Sequence, residues 1–249
     1  MTTSTVKRTV AAIAAEMPRA AAVFEEFGID YCCGGELSLE QACAKAHVSV
    51  EAVERELEAV GRENRSADSI DWRSVPLSQL VEHIVDFHHQ YVRRTLGRLN
   101  QLFDQVMTAH GASHSELRPL LRFFHTVADG MVQHMLKEEQ VLFPYILRLE
   151  EAALAQQPLP PAPFGRVENP VRVLKLEHDD VGAQMKAIRA LTHDYVVVST
   201  GCNSFRALYA TLAEFERDLH QHVHLENNIL FPRAQGLEES LRGAAKEGQ

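Results

Sequence analysis

The sequence predicts an all-α protein, with a small N-terminal helical domain followed by a four-helix bundle. Three observations carry this. Apolar residues recur at helical spacing through most of the 249 residues. Ala, Leu, Glu, Arg and Gln are abundant while aromatics make up 7%, a balance that favours helix over strand. One long helical pattern also occurs twice, around His134 and again around His222.

The elements follow in order. Val10-Ala11-Ala12-Ile13-Ala14-Ala15 after Lys7 and Arg8 faintly resembles a secretion signal, but Glu16 ends the run, so it reads as an amphipathic helix. The pattern breaks at Phe27-Gly28-Ile29-Asp30-Tyr31-Cys32-Cys33-Gly34-Gly35. Ser38 with Gln41 then forms a capping-box signature, and Ser49 opens a helix carrying Ala52, Val53, Leu57 and Val60. Residues 1–62 are therefore expected as one small domain and 63–75 as a linker, with the bundle over 76–240. Pro76 suits a helix start. Leu77, Leu80, Val81, Ile84, Val85, Val92, Leu96, Leu99 and Phe103 form one apolar stripe, and Leu121, Phe124, Val127, Met131, Met135, Val141 and Leu142 form the next. Pro144, inside that pattern, predicts a kink or break. Five prolines between residues 152 and 170 mark a linker. Two more helices are expected, from Val171 to about Tyr195 and from about Phe205 to Phe231.

Composition narrows function. A net charge of −9 argues against a nucleic-acid partner. No run reaches the roughly 18 apolar residues of a membrane helix. Four cysteines, two of them adjacent, form no disulfide framework, which agrees with a cytoplasmic protein. Thirteen histidines are many for a helical acidic protein, and histidine is the commonest metal ligand.

The repeat gives those histidines meaning. His134 to Pro144 and His222 to Pro232 both read His-x3-Glu-x4-Phe-Pro. His89 precedes His134 by nearly the same interval as His178 precedes His222. His and Glu at i and i+4 share a helix face, so both can reach one centre. Met131, Val141 and Leu142 turn the first pair inward, as Phe215, Leu219, Leu225 and Ile229 do the second. An isolated His-x3-Glu is most often a surface ion pair. Repeated in one core, two carboxylates would repel unless cations lay between them. Four His and two Glu could give each of two metals two His, with both Glu shared as bridges and positions left open for a small ligand. His88 competes with His89, and the matched spacing favours His89. His220 and His224 lie about 200° around the helix from His222, which places them at the surface or behind the ligands. His47, His83, His110, His114, His125 and His193 read as structural or exposed, and Cys43 and Cys202 as small apolar fillers.

The set His89, His134-x3-Glu138, His178, His222-x3-Glu226 resembles a hemerythrin-like di-iron bundle. Asp30-Tyr31-Cys32-Cys33-Gly34-Gly35 resembles the ScdA-type N-terminal domain of the RIC (repair of iron centres) family. Asp71-Trp72-Arg73-Ser74, Leu176-Glu177-His178-Asp179 and Leu225-Glu226-Asn227-Asn228 match the same family. The resemblance implies a cytoplasmic non-haem protein with two iron ions under an oxo or hydroxo bridge. His89, His134, His178 and His222 would be ligands, and Glu138 and Glu226 would bridge. It implies repair of iron–sulfur proteins damaged by oxidative or nitrosative stress, by iron donation. The alternatives are reduction or scavenging of nitric oxide, or sensing of oxygen or nitric oxide. Oxygen-carrying hemerythrins use five His, so this Glu-richer set departs from oxygen transport. Iron is what the resemblance implies, since imidazole and carboxylate also suit Zn and Mn. The partners implied are damaged iron–sulfur proteins and small ligands such as nitric oxide or oxygen. No nucleic acid or membrane is implied, and a homodimer is left open.

Cys32 and Cys33 are candidate redox or iron-transfer thiols. Adjacent Cα atoms lie about 3.8 Å apart, below the usual disulfide range of about 4.4–6.8 Å. Free thiols beside the glycine pair Gly34-Gly35 suit redox reaction, transient metal contact or transfer to a partner.

Overall fold

A computed structural model describes residues 7–63, 70–197 and 202–247. The expected linker positions 64–69 lie outside them. Among the described residues the only extended pairing is a single antiparallel bridge between Thr9 and Ser38; everything else regular is helical. The chain divides into two compact units.

The first unit comprises Met1–Val81, Leu149–Pro160 and His220–Gln249. Helices α1 (Val10–Glu16), α2 (Ala20–Glu26), α3 (Leu39–Ala46) and α4 (Val50–Glu63) share a core of Ile13, Phe24, Tyr31, Leu39, Val53 and Leu57. Thr9 caps α1 through Ala12 N–H. Ser38 and Gln41 complete the expected capping box on α3, satisfying two orphan donors at once. Helix α5 (Leu77–His83) follows Pro76. Its first two amides donate to the Glu150 carboxylate at 2.5 and 2.9 Å, an anion where the helix dipole favours one.

The second unit comprises Glu82–Arg148 and Pro161–Leu219. Here α6 (Gln90–His110), α7 (Leu117–Lys137), α9 (Glu168–Leu191) and the first part of α10 (Asn203–Leu225) enclose one apolar core. Leu99, Phe103, Phe124, Met131, Ile188 and Phe215 are among its members. Helix α9 stops in a left-handed turn: His193, Asp194 and Tyr195 all have φ between 48° and 61°. Each is held in a region that is unfavourable for a residue with a Cβ. The buried Glu216 carboxylate anchors this turn. It accepts from Tyr195 Oη at 2.9 Å and from Arg189 Nη2 at 2.5 Å.

Two helix ends differ from expectation. The Phe-Pro pairs do not stop their helices: α8 runs Phe143–Leu154 and α11 runs Phe231–Glu247, each with proline second. Proline is tolerated there because the helix backbone just ahead of each pair is widened enough to clear its ring. The proline-rich linker is also shorter than expected, since α8 extends to Leu154 and α9 begins at Glu168, with Pro170 in its first turn.

Candidate metal centre

Three short π-helical turns interrupt the long helices, at Ile84–His89, Glu138–Leu142 and Glu226–Leu230. In each, an amide reaches back five residues: Gln90 to Val85, Phe143 to Glu138 and Phe231 to Glu226. His89 closes the first turn, while Glu138 and Glu226 open the others. The two later turns directly precede Phe-Pro. A proline ring collides with the carbonyl four residues earlier in a regular α-helix, and the widened turn moves that carbonyl aside. The extra residue also corrects one expectation. Val141 does not face inward but is 43% exposed, because the π turn rotates it off the apolar stripe.

The turns bring the sequence-predicted residues together. His89, His134, Glu138, His178, His222 and Glu226 are all 0–2% exposed. Glu138 offers one oxygen to each of two histidines. Its Oε2 lies 3.4 Å from His89 Nε2 and its Oε1 lies 3.3 Å from His134 Nε2. His134 Nε2 and His178 Nε2 are 2.9 Å apart, as are His222 Nε2 and Glu226 Oε1. Donors each about 2.1 Å from one cation are separated by about 3.0 Å at a right angle and about 3.4 Å at the tetrahedral angle. The observed separations match the spacing that donors sharing one cation would have. Ligand atoms of His89, Glu138, His222 and Glu226 lie within 4.8 Å of one another, and so do those of His134, Glu138, His178 and Glu226. Both groups contain Glu138 and Glu226.

Neighbouring carboxylates hold the rings. His89 Nδ1 is 2.6 Å from Glu139 Oε1, which also accepts from Arg93 at 2.6 Å. His134 Nδ1 is 2.9 Å from Glu177 Oε2, whose other oxygen pairs with Lys137. Burial pushes both carboxyls up, but the hydrogen bonds outweigh it and hold each below the ordinary carboxylate value. An ionised carboxylate at Nδ1 fixes the tautomer that leaves Nε2 free for metal. Nothing in the helical pattern singled out Glu139 and Glu177. The available signal was an acidic residue directly beside each ligand. A groove of about 450 Å³ between α7 and α9, lined by Gly130, Gln133, Lys137 and Asp180, reaches His134.

His88 is also buried but turns elsewhere, with Nδ1 2.9 Å from Asp218 Oδ1. His224 is buried against Tyr31, with ring centroids 5.4 Å apart, and burial holds its pKa down to about 4. His220 is partly exposed near Glu25. Cys43 is a buried filler as expected, but Cys202 is exposed, with Sγ 3.1 Å from His110 Nε2.

The dithiol loop is fixed rather than loose. Asp30 Oδ1 accepts from the amides of Cys33 and Gly34 at 3.0 Å each. Asn228, in the turn that begins with Glu226, donates to the carbonyls of Tyr31 and Cys32 at 3.1 and 3.2 Å. Gly35 serves close approach, not freedom. A Cβ there would meet Tyr31 O at 2.7 Å, Ala11 Cβ at 2.8 Å and Asn228 Oδ1 at 3.0 Å. Cys32 is buried and Cys33 half-buried. The Cys32 thiol is pushed well above its ordinary pKa, first by its hydrogen bond with Cys33, then by burial and by Asp30.

Buried histidines and carboxylates converging from several helices define a cation-binding helical bundle. Residues 80–234 match the hemerythrin HHE cation binding domain, and residues 6–61 match ScdA_N, described as a domain of unknown function. The chain belongs to the RIC family, in which these two domains stand in tandem. It is 34% identical over 239 residues to the iron-sulfur cluster repair protein YtfE of Musicola paradisiaca, covering 96% of this chain and 98% of that one. It is 35% identical over 227 residues to the protein of the same name from Yersinia pestis, covering 91% and 96%. No described helix is long and apolar enough to cross a membrane.

Proposed function

We propose that the protein repairs damaged iron–sulfur clusters by donating iron from a di-iron centre. His89, His134, His178 and His222 would hold it as ligands, with Glu138 and Glu226 shared between the two ions. The observation that carries this reading is Glu138, whose two oxygens face two different histidines. Membership of both donor groups by Glu138 and Glu226 supports the same bridging roles. Imidazole and carboxylate donors suit iron. Four protein donors per ion leave open positions for an oxo or hydroxo bridge and for nitric oxide or oxygen.

When bound, the irons supply redox-active Lewis acids and an exchangeable cargo. The protein's own part is proton control. Glu177 accepts a hydrogen bond from the Nδ1–H of His134, which leaves the Nε2 lone pair for a cation. The groove beside His134, lined in part by Gln133, Lys137, Glu177 and Asp180, is the approach an ion would take.

The domain division at 1–62, 63–75 and 76–240 is consistent with the two matched families. We place the protein in the cytoplasm, where its free cysteines remain reduced.

The test mixes iron-loaded protein with an iron–sulfur enzyme inactivated by nitric oxide. Activity should return as iron leaves the bundle. Recovery no better than with free ferrous iron overturns the proposal, and catalytic nitrous oxide formation without recovery would favour nitric oxide reduction.

A further inference from the structure

The dithiol loop holds three donors that the di-iron reading leaves unused. The Asp30 carboxylate and the Sγ atoms of Cys32 and Cys33 present ligand atoms within 4.8 Å of one another. We propose that Asp30, Cys32 and Cys33 form a separate site for one thiophilic divalent cation.

Adjacent cysteines make a poor disulfide, because their Cα atoms lie too close. They can still converge on a cation. Two sulfurs about 2.3 Å from one ion are about 3.8 Å apart in a tetrahedral shell, so a small rotamer change closes the site. The backbone is already set for this. Asp30 is aimed at the thiols by the amides of Cys33 and Gly34, and Asn228 pins the carbonyls of Tyr31 and Cys32. Cys32 Sγ lies 3.4 Å from Asp30 Oδ1. Because Asp30 and Cys33 are partly exposed, solvent can complete the shell. Thiolate donors select divalent ions such as Zn or Fe(II) over Mg or Ca. As each metal–sulfur bond forms, the S–H bond breaks and its proton passes to solvent; no electron is transferred. Cys43 has no such partners, since it is packed into the apolar core.

Cobalt(II) is the probe, added to the full chain after the bundle has been loaded with iron. Thiolate-to-cobalt charge-transfer bands report sulfur ligation, and a His/Glu centre cannot produce them. The bands should saturate at one ion per chain, persist in Cys43→Ala and Cys202→Ala, and vanish in Cys32→Ser and Cys33→Ser. Asp30→Asn keeps an acceptor for the loop amides and should weaken binding about tenfold or more. Absent bands, bands surviving Cys33→Ser, or bands lost with Cys202→Ala overturn the proposal. Should a serine variant fail to fold by circular dichroism, Asp30→Asn and Cys202→Ala decide. Iron retained by the bundle is measured separately, so failure here leaves the repair reading standing.

Discussion

Glu139 should set how tightly the bundle holds metal, although it points away from the cation. Its carboxylate lies 2.6 Å from His89 Nδ1, and His89 is fully buried. Glu139→Gln keeps an acceptor there and removes only the charge. The expected loss is about tenfold in affinity, or about 1.4 kcal/mol. Glu139→Ala also leaves the Nδ1 proton buried without a partner, which adds about 1–3 kcal/mol. The series should therefore run from about tenfold for Gln to about a hundredfold or more for Ala. Arg93→Ala is the control. Its side chain is 43% exposed, and an exposed pair contributes only about 0.2–1 kcal/mol, so affinity should fall by less than about fivefold. The assay is ferrous iron retention against a graded chelator. Equal affinities across the series, or a larger loss in Arg93→Ala than in Glu139→Gln, would refute the reasoning.

Other outcomes follow from the same contacts. Gly35→Ala should cost about 1–3 kcal/mol through overpacking and lower the melting temperature by about 2–4 °C per kcal/mol. Gly97→Ala, in mid-helix with nothing within 4 Å of the added methyl, should raise stability by up to about 1 kcal/mol; calorimetry that reverses the two signs rejects both assignments. Cys202 should be the first thiol alkylated near neutral pH. Its hydrogen bond from His110 lowers its pKa, so thiolate accumulates at lower pH than for an ordinary thiol, whereas Cys32 is shifted upward. His110→Ala should move the Cys202 labelling profile to higher pH, and mass spectrometry finding Cys32 labelled first would contradict this. Removing bound metal should lower stability by about 2.7 kcal/mol relative to protein held at a hundred times its dissociation constant; an unchanged melting curve after chelation would show that no cation stabilises the fold.

The helices and the six clustered residues were legible because they are written in spacing. His134 with Glu138, and His222 with Glu226, occupy one helix face, and repetition separated them from ordinary surface pairs. Ser38 and Gln41 were equally legible because capping is local chemistry. The π turns were not legible, since a single inserted residue hardly disturbs a 3.6-residue period. That is why the spacing turns Val141 inward and shows Pro144 only as a kink or break. Glu139 gives no signal in the helical pattern, and Glu177 and Asn228 stand only within family-matching motifs without a role, because residues beside a ligand look like any solvated helix face until the partner across the interface is known. Cys202 looked like a filler because sequence does not say that His110 lies beside it.

His89, Glu138 and Glu226 sit in widened turns, whereas His178 lies within an uninterrupted α-helix. A widened turn can pass its surplus residue along the helix, sliding its register while most hydrogen bonds re-form. A regular helix has no surplus to pass. Deleting a single residue such as Gln140 would remove that surplus and close the turn into regular α-helix, keeping Tyr145, Ile146 and Leu149 on their buried face but driving the Pro144 ring into the carbonyl four residues before it. The bundle thus tolerates substitution in these turns far better than a change in their length.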